Sequence, residues 1–240
     1  MATPASGSGT VGDPYLITSA AEFAMIDDDA ANLAAHYKQT QDITGVTAGI
    51  DSTFSGTYDG QGYGIDVVIS NGDQGLFFRI TGTIERMYLT GSIAEDEIGS
   101  FCYDLAVGGI IHNCRSDIAL TATTSMGAFV GIKSGTVSTS LYAGIMDGTG
   151  TKDAYFNTDC CWDKTLAQGL PDEATYGLTT LQLRGDATLP TGFDPTIWTK
   201  RETPLEAYPY SYPELIQGDL NNGNTFMKSD DESANEAWQW

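Results

Sequence analysis

Gly75-Leu76-Phe77 is followed by Gly82-Thr83-Ile84, Met87 and Leu89. Gly99-Ser100-Phe101 is followed by Gly109-Ile110-Ile111, Cys114 and Ser116, and Gly127-Ala128-Phe129 by Gly135-Thr136-Val137, Ser140 and Tyr142. These are three copies of one pattern. With Gly82, Gly109 and Gly135 taken as equivalent corners, the copies lie 27 and 26 residues apart. That length suits one turn of a three-sided β-solenoid, in which strands stack in parallel at about 4.8 Å and alternate residues enter a shared core. The expected fold over residues 50–150 is therefore all-β, a short right-handed parallel β-helix. Phe77, Phe101 and Phe129 should stack inside it as an aromatic ladder, and Cys114 should be buried in the column of Met87 and Ser140.

Upstream of the copies, Tyr37-Lys38-Gln39-Thr40-Gln41-Asp42-Ile43 and Gly64-Ile65-Asp66-Val67-Val68-Ile69 read as strands. The segment Phe54 to Gly62 between them is dense in glycine, as a tight corner with positive φ would be. Nearer the start, Asp13-Pro14-Tyr15-Leu16-Ile17 reads as a strand and Ser19-Ala20-Ala21-Glu22 as a capping box. The helix it opens would bury Phe23, Ile26, Ala30 and Leu33, with Asp27-Asp28-Asp29 as an interruption. Such a helix is expected to cap the solenoid, because an open end turn exposes apolar interior and unpaired strand edges. Residues 1–12 read as a flexible leader and 13–152 as the capped β-helix.

The period is lost from about Asp153, where Trp and Pro rise. Residues 153–216 read as an irregular C-terminal capping module. Within it, Leu178 to Leu183 starts a short helix, and Phe193 to Trp198 with Tyr208-Pro209-Tyr210 supplies large groups to cover an open turn. Residues 217–240 read as an acidic tail that ends in Trp238-Gln239-Trp240. Phe226, Trp238 and Trp240 are its candidate docking residues, since aromatic groups on a solvated tail favour a partner surface.

Composition narrows the partners. Eleven basic residues against 32 acidic ones give a net charge of −21, which repels phosphate backbones and anionic headgroups, so nucleic acid and membrane insertion are not expected. The stretch Met1 to Thr10 lacks the basic and apolar parts of a secretory signal, and no run reaches the ~18 apolar residues of a membrane span. Cys102, Cys114, Cys160 and Cys161 match no zinc-ligand spacing. Adjacent Cys160 and Cys161 should point to opposite faces if extended, which leaves them unbonded to each other. His36 and His112 have no attendant ligand pair. No metal and no cofactor is expected.

Catalytic sets are equally sparse. No Gly-x-Ser-x-Gly elbow is present, and a cysteine nucleophile at Cys114, two residues from His112, would point inward. Acids on stacked turns could do general acid/base work on a polysaccharide, and Asp59, Asp66, Glu95, Asp96 and Asp117 are the candidates. With 32 acids in the chain, proximity by chance is expected, so no catalytic residue is assigned. Asp59-Gly60-Gln61-Gly62-Tyr63-Gly64 occurs once, which fits a turn better than a repeated calcium loop.

An ordered series of stretches resembles the GLUG-motif proteins, bacterial and phage surface proteins with parallel β-helix folds. It runs from Gly7-Ser8-Gly9-Thr10 through Ala20-Ala21-Glu22-Phe23, Tyr37 to Ile43, Phe54 to Gly62 and Gly75-Leu76-Phe77. It closes with Trp162-Asp163, Gly177-Leu178-Thr179-Thr180 and Phe193 to Trp198. The second and third copies depart from Gly-Leu-Phe, as Gly99-Ser100-Phe101 and Gly127-Ala128-Phe129. The resemblance, taken with the missing secretory signal and the missing catalytic set, leads to the expectation of a non-enzymatic bacteriophage virion protein: a capsid decoration, head fibre or tail-associated spike component, made in the host cytoplasm. It also implies a threefold homo-oligomer, contacts with other virion proteins and a host surface glycan as a possible ligand. The alternatives are a bacterial cell-surface adhesin or carbohydrate-binding β-helix and, behind it, a polysaccharide hydrolase or lyase.

Overall fold

The computed structural model of the chain describes residues 3–70, 72, 74–171, 173–203, 207–208 and 210–218. Tyr15–Ile17, His36–Gln39, Thr57–Asp59, Thr83–Glu85, Ile110–His112 and Thr136–Ser138 stack in parallel as one six-stranded face. Along it Tyr15, Tyr37, Tyr58, Ile84, Ile111 and Val137 are register partners. Their steps are 22, 21, 26, 27 and 26 residues. The protein is thus a parallel β-solenoid of about five turns. It begins at Tyr15, well before the clear repeat, because its first two turns are shorter and escape a 26-residue search.

Each turn then passes through other sheets. A four-stranded one holds Ile50–Phe54, Phe77–Ile80, Cys102–Leu105 and Val130–Lys133, and a three-stranded one holds Glu97–Gly99, Ser125–Gly127 and Thr151–Asp153. The longest sheet runs from Ile43–Val46 through Gly64–Ile69 and Tyr88–Ala94 to Leu141–Tyr142, Cys161–Asp163 and Gly177–Leu178. The side expected to be one of three is divided by the three-stranded sheet. The interior is one continuous apolar cluster from Ile17 to Leu170.

The aromatic ladder differs from the expected one by a single residue of register. Phe77 is the partner of Cys102, whose other partner is Val130, so Phe101 is offset from Phe77. Phe101 and Phe129 stack at 5.2 Å and 12°, and Phe129 continues to Phe156 at 5.5 Å. Phe77 instead packs on Phe54 at 5.2 Å and on Phe23 at 5.8 Å. There are two aromatic stacks, one for each end of the core.

Glycine is required at the corners for closeness more than for φ. A Cβ on Gly82 would lie 2.0 Å from the Gly56 carbonyl oxygen of the turn below, and one on Gly135 would lie 2.3 Å from that of Gly109. Neither has positive φ; within the segment 54–62 only Gln61 and Gly62 do, where the sequence suggested a general need.

The N-terminal helix closes its end as expected, in pieces. Ser19 caps Ala20–Ala24, a 3-10 turn covers Met25–Asp27, and Asp29 caps Ala30–Leu33 by accepting from the Ala31 and Asn32 amides. Phe23 and Ile26 are buried but Ala30 is exposed, because Asp29 restarts the helix and rotates its apolar stripe. Asp27 accepts from the Asp51 and Ser52 amides at 3.1 and 3.2 Å, so one carboxylate satisfies part of the open strand edge. Ser6 and Gly9 of the leader accept from the Leu16 and His36 amides.

At the other end the last turn cuts its corner. Gly127 to Ser138 spans eleven positions, whereas their partners Asp153 and Thr158 are five apart. The shortcut lays Phe156, with Trp162 and Tyr176, across the core. Phe193 and Trp198, expected to cover this end, do something else: with Leu183 and Leu215 they form a second cluster on the outward side chains Leu141, Ala143 and Cys161. Those outward apolar groups need cover, and the module supplies it. The expected short helix is Thr180–Arg184, opened by a capping box between Thr179 and Gln182.

Candidate functional site

The corner leaving the six-stranded face uses the left-handed region at a non-glycine residue in turn after turn. Gln61, Arg86, Asn113 and Thr139 have φ of 50°, 49°, 51° and 48°, and Asp159 follows at 53°. Such a residue bends the chain sharply between two extended strands, at a cost of about 1–2 kcal/mol where the side chain is not glycine. The strain is stacked into a column on the outside of the solenoid.

The C-terminal segment docks along that column. Gly218 N–H donates to the Gln61 carbonyl at 2.9 Å, and Arg86 Nη1 donates to the Gly218 carbonyl at 3.2 Å. Trp198 Nε1 donates to Asn113 Oδ1 at 3.4 Å. Three consecutive corner residues therefore each receive one contact from residues 198–218. Beside the column, Arg115 Nη1 donates to the Pro213 carbonyl at 3.4 Å while its guanidinium lies over the Tyr88 and Tyr212 rings, 4.7 and 5.4 Å from their centroids. Arg184 lies over Tyr212 and Tyr208 in turn.

Arg86 and Arg115 are built alike. Each is buried, and each pairs with a solenoid carboxylate, Asp59 at 2.5 Å for Arg86 and Asp117 for Arg115, while a second N–H reaches the C-terminal segment. Tyr212 also donates to Asp163 at 2.6 Å, as does Thr180 Oγ1.

Next to the column runs a charged row in which Lys38, Asp59, Glu85 and His112 are successive register partners. Burial raises the Asp59 carboxyl above its usual range, outweighing the lowering effect of Arg86 and the Gln61 amide. The hydrogen bond from His112 Nε2, at 2.9 Å, lowers Glu85 instead, against its own partial burial. Two carboxyls on stacked turns are thus pushed in opposite directions. Both Asp59 oxygens are taken, Oδ1 by the Gln61 amide and Oδ2 by Arg86.

Each of the five acids chosen from sequence has its own hydrogen-bond donor. Asp66 accepts from Thr90 at 3.2 Å, Glu95 from the Gly72 amide at 2.7 Å, Asp96 from Thr123, and Asp117 from Arg115 and from Tyr88 at 2.9 Å. The stacked partner of Asp59 is Glu85, which the sequence reading passed over; the 26-residue step from Asp59 would have found it. His36 lies on the first turns with its amide bonded to Gly9, and His112 has an acidic partner that its sequence neighbours did not reveal.

All four cysteines are free and buried. Cys114 and Ser140 share a column in which the Ser140 hydroxyl accepts from the Cys114 amide. Cys160 belongs to the main core and Cys161 to the second cluster, the opposite orientations expected of an extended pair. Burial pushes the Cys160 thiol up to about 12, and raises Cys102, Cys114 and Cys161 as well. A cavity of about 230 Å3 lies where the closing turn meets the module, lined by Asp159, Cys160, Cys161, Tyr176, Leu178 and Pro190 among others.

Among the described residues no group of three or more His, Cys, Asp or Glu could hold a metal ion, and no helix is long and apolar enough to cross a membrane. Phe226, Trp238 and Trp240 lie outside the described residues. Comparison with protein-family models, with curated proteins and with solved structures returns no match.

Proposed function

We propose that the chain is a non-catalytic structural and binding protein of a bacteriophage particle: a capsid decoration, head fibre or tail-associated spike component. One observation carries the non-catalytic part. Each acid that the sequence offers for general acid/base work already accepts an intrachain hydrogen bond, and those of Asp59 and Asp117 hold arginines that bind the C-terminal segment. The solenoid is closed by a helix at one end and by Phe156 and Trp162 at the other, which suits a compact support. The particle as its setting rests on the GLUG-motif resemblance, and a net charge of −21 suits a projecting, solvated surface.

Density-gradient fractionation of a lysed culture of the producing bacterium tests this. The chain should band with intact phage particles. Recovery with the cell envelope in a culture free of particles would favour the adhesin reading instead.

Asp59 and Glu85 are register partners on adjacent turns, a placement that favours a second reading, a glycoside-cleaving pair. Release of reducing sugar from a host polysaccharide, abolished by Asp59→Asn and by Glu85→Gln, would establish it.

A further inference from the structure

We infer that the ridge on the outside of the four-stranded sheet is a binding site for a neutral glycan, with the stacked rings of Phe78 and Tyr103 as its platform. The strands there do not alternate strictly. In Phe77–Ile80 and Cys102–Leu105 the two end residues are buried and the two middle ones are exposed or half-buried, so each turn presents a pair. Phe77 is the partner of Cys102 and Arg79 that of Asp104, which sets Phe78 beside Tyr103 in the register between them. Their rings stack at 5.7 Å and 23°, and Phe78 is 43% exposed. Ile132, the next partner of Asp104, is exposed as well. In that next turn Gly131 has no side chain to cover Tyr103; a Cβ there would lie 3.1 Å from the ring.

The polar groups around the rings point to the ligand. Arg79 Nε and Asp104 Oδ2 form a partly exposed pair at 3.4 Å in the adjacent register, and Glu97 accepts from the Tyr103 hydroxyl at 3.2 Å. Planar guanidinium and carboxylate groups offer paired donors and acceptors, which match adjacent sugar hydroxyls, while aromatic rings pack against the C–H face of a pyranose. A lipid chain would leave those charges unused. A folded protein partner needs about 800 Å2 on each side, more than a strip of three turns about 10 Å tall supplies. The net charge of −21 repels acidic polysaccharides, so the glycan is a neutral one. The inference rests on the binding role proposed above and gives it a ligand and a place.

Affinity electrophoresis of the full chain, through gels containing neutral polysaccharide extracted from the producing bacterium, tests the site. The parent should be retarded, and Phe78→Ala should raise the dissociation constant by roughly tenfold. Asp104→Asn leaves both rings in place and should raise it by a smaller factor. Val68→Ala removes an exposed apolar side chain from the longest sheet and should bind as the parent does. A parent that runs unretarded would overturn the site, as would Phe78→Ala and Asp104→Asn chains retarded as strongly as the parent. A loss on Val68→Ala equal to that on Phe78→Ala would mark general adsorption and do the same. Sedimentation of the parent and Phe78→Ala tests for self-contact: an oligomer that this change dissociates would mean that a second copy covers the ridge, which also overturns the glycan. The particle reading fails separately. An unretarded chain that bands with phage particles overturns the site alone, and a retarded chain that does not band with them overturns the particle reading alone.

Discussion

Arg86 and Gly218 stand 132 positions apart in sequence, and the arginine's Nη1 donates to the glycine's carbonyl at 3.2 Å. The same guanidinium pairs with Asp59, the first carboxylate of a charged row on the outside of the solenoid. The contact marks where the chain, having climbed the turns, returns along their corners.

Truncation after Gly218 keeps the contacts to Gln61, Arg86 and Arg115, so the remaining chain should still fold as a closed solenoid. Truncation after Ser211 removes Tyr212, Pro213, Leu215 and Gly218, leaves buried Arg86 and Arg115 without their carbonyl partners and uncovers part of the second cluster. It should cost several kcal/mol, about 1–3 for each stranded polar group. Thermal denaturation of the two truncated chains measures the difference.

Gly135→Ala places a Cβ 2.3 Å from the Gly109 carbonyl oxygen, in a backbone conformation that alanine otherwise adopts freely. It should destabilise by at least about 2 kcal/mol through steric overlap alone. Gly12→Ala meets nothing within 4 Å and should stay within about 0.5 kcal/mol of the parent. Urea denaturation of the pair separates close approach from a general glycine effect.

Thr139 holds φ at 48° with a β-branched side chain, the least suitable kind for the left-handed region. Thr139→Asn should stabilise by about 0.5–1 kcal/mol, since asparagine tolerates that conformation. Arg86→Asn, at the neighbouring kind of corner, should destabilise, because the relief is outweighed by the loss of the Asp59 and Gly218 contacts. Denaturant midpoints of opposite sign would confirm that the column stores strain and that only some of its members bind.

Glu85 titrates lower in the fold than its ordinary 4.5, chiefly through the His112 hydrogen bond. A depressed carboxyl lends stability above its unfolded pKa and loses it as pH falls through the folded one. The stability gap between the parent chain and Glu85→Gln should therefore be present above pH 4.5 and close on acidification. Asp59 runs the other way: its raised pKa makes ionisation a cost that grows as pH rises above 3.8. Melting temperatures of the parent chain and both single variants across pH 3–7 read the two slopes separately.

How much of this the sequence revealed depends on where each constraint acts. The copies at Gly82, Gly109 and Gly135 are legible because a Cβ at each would strike a backbone carbonyl oxygen, that of Gly56, Ile80 and Gly109 in turn, which only glycine avoids. Turns of 21 and 22 residues between Tyr15 and Tyr58 carry tyrosine in place of the aliphatic column and leave no periodic mark. The one-residue slip between Phe77 and Cys102 was invisible because phenylalanine occurs at both registers. The corner column was hidden more thoroughly. Gln61, Arg86, Asn113 and Thr139 share a backbone conformation and no chemical property, so no motif search unites them. Asp59 was legible as a carboxylate of interest; its burial, its arginine and its stacking on Glu85 depend on the register and on a segment that returns to Arg86 from 132 positions further along the chain.

The central claim, that this solenoid is a structural component of a phage particle, is tested most directly by cryo-electron microscopy of particles purified from the producing bacterium. The account predicts density on the particle exterior into which the five-turn solenoid fits, with strand layers spaced at about 4.8 Å. Particles of full composition that lack such density, with the chain recovered elsewhere in the lysate, would contradict it.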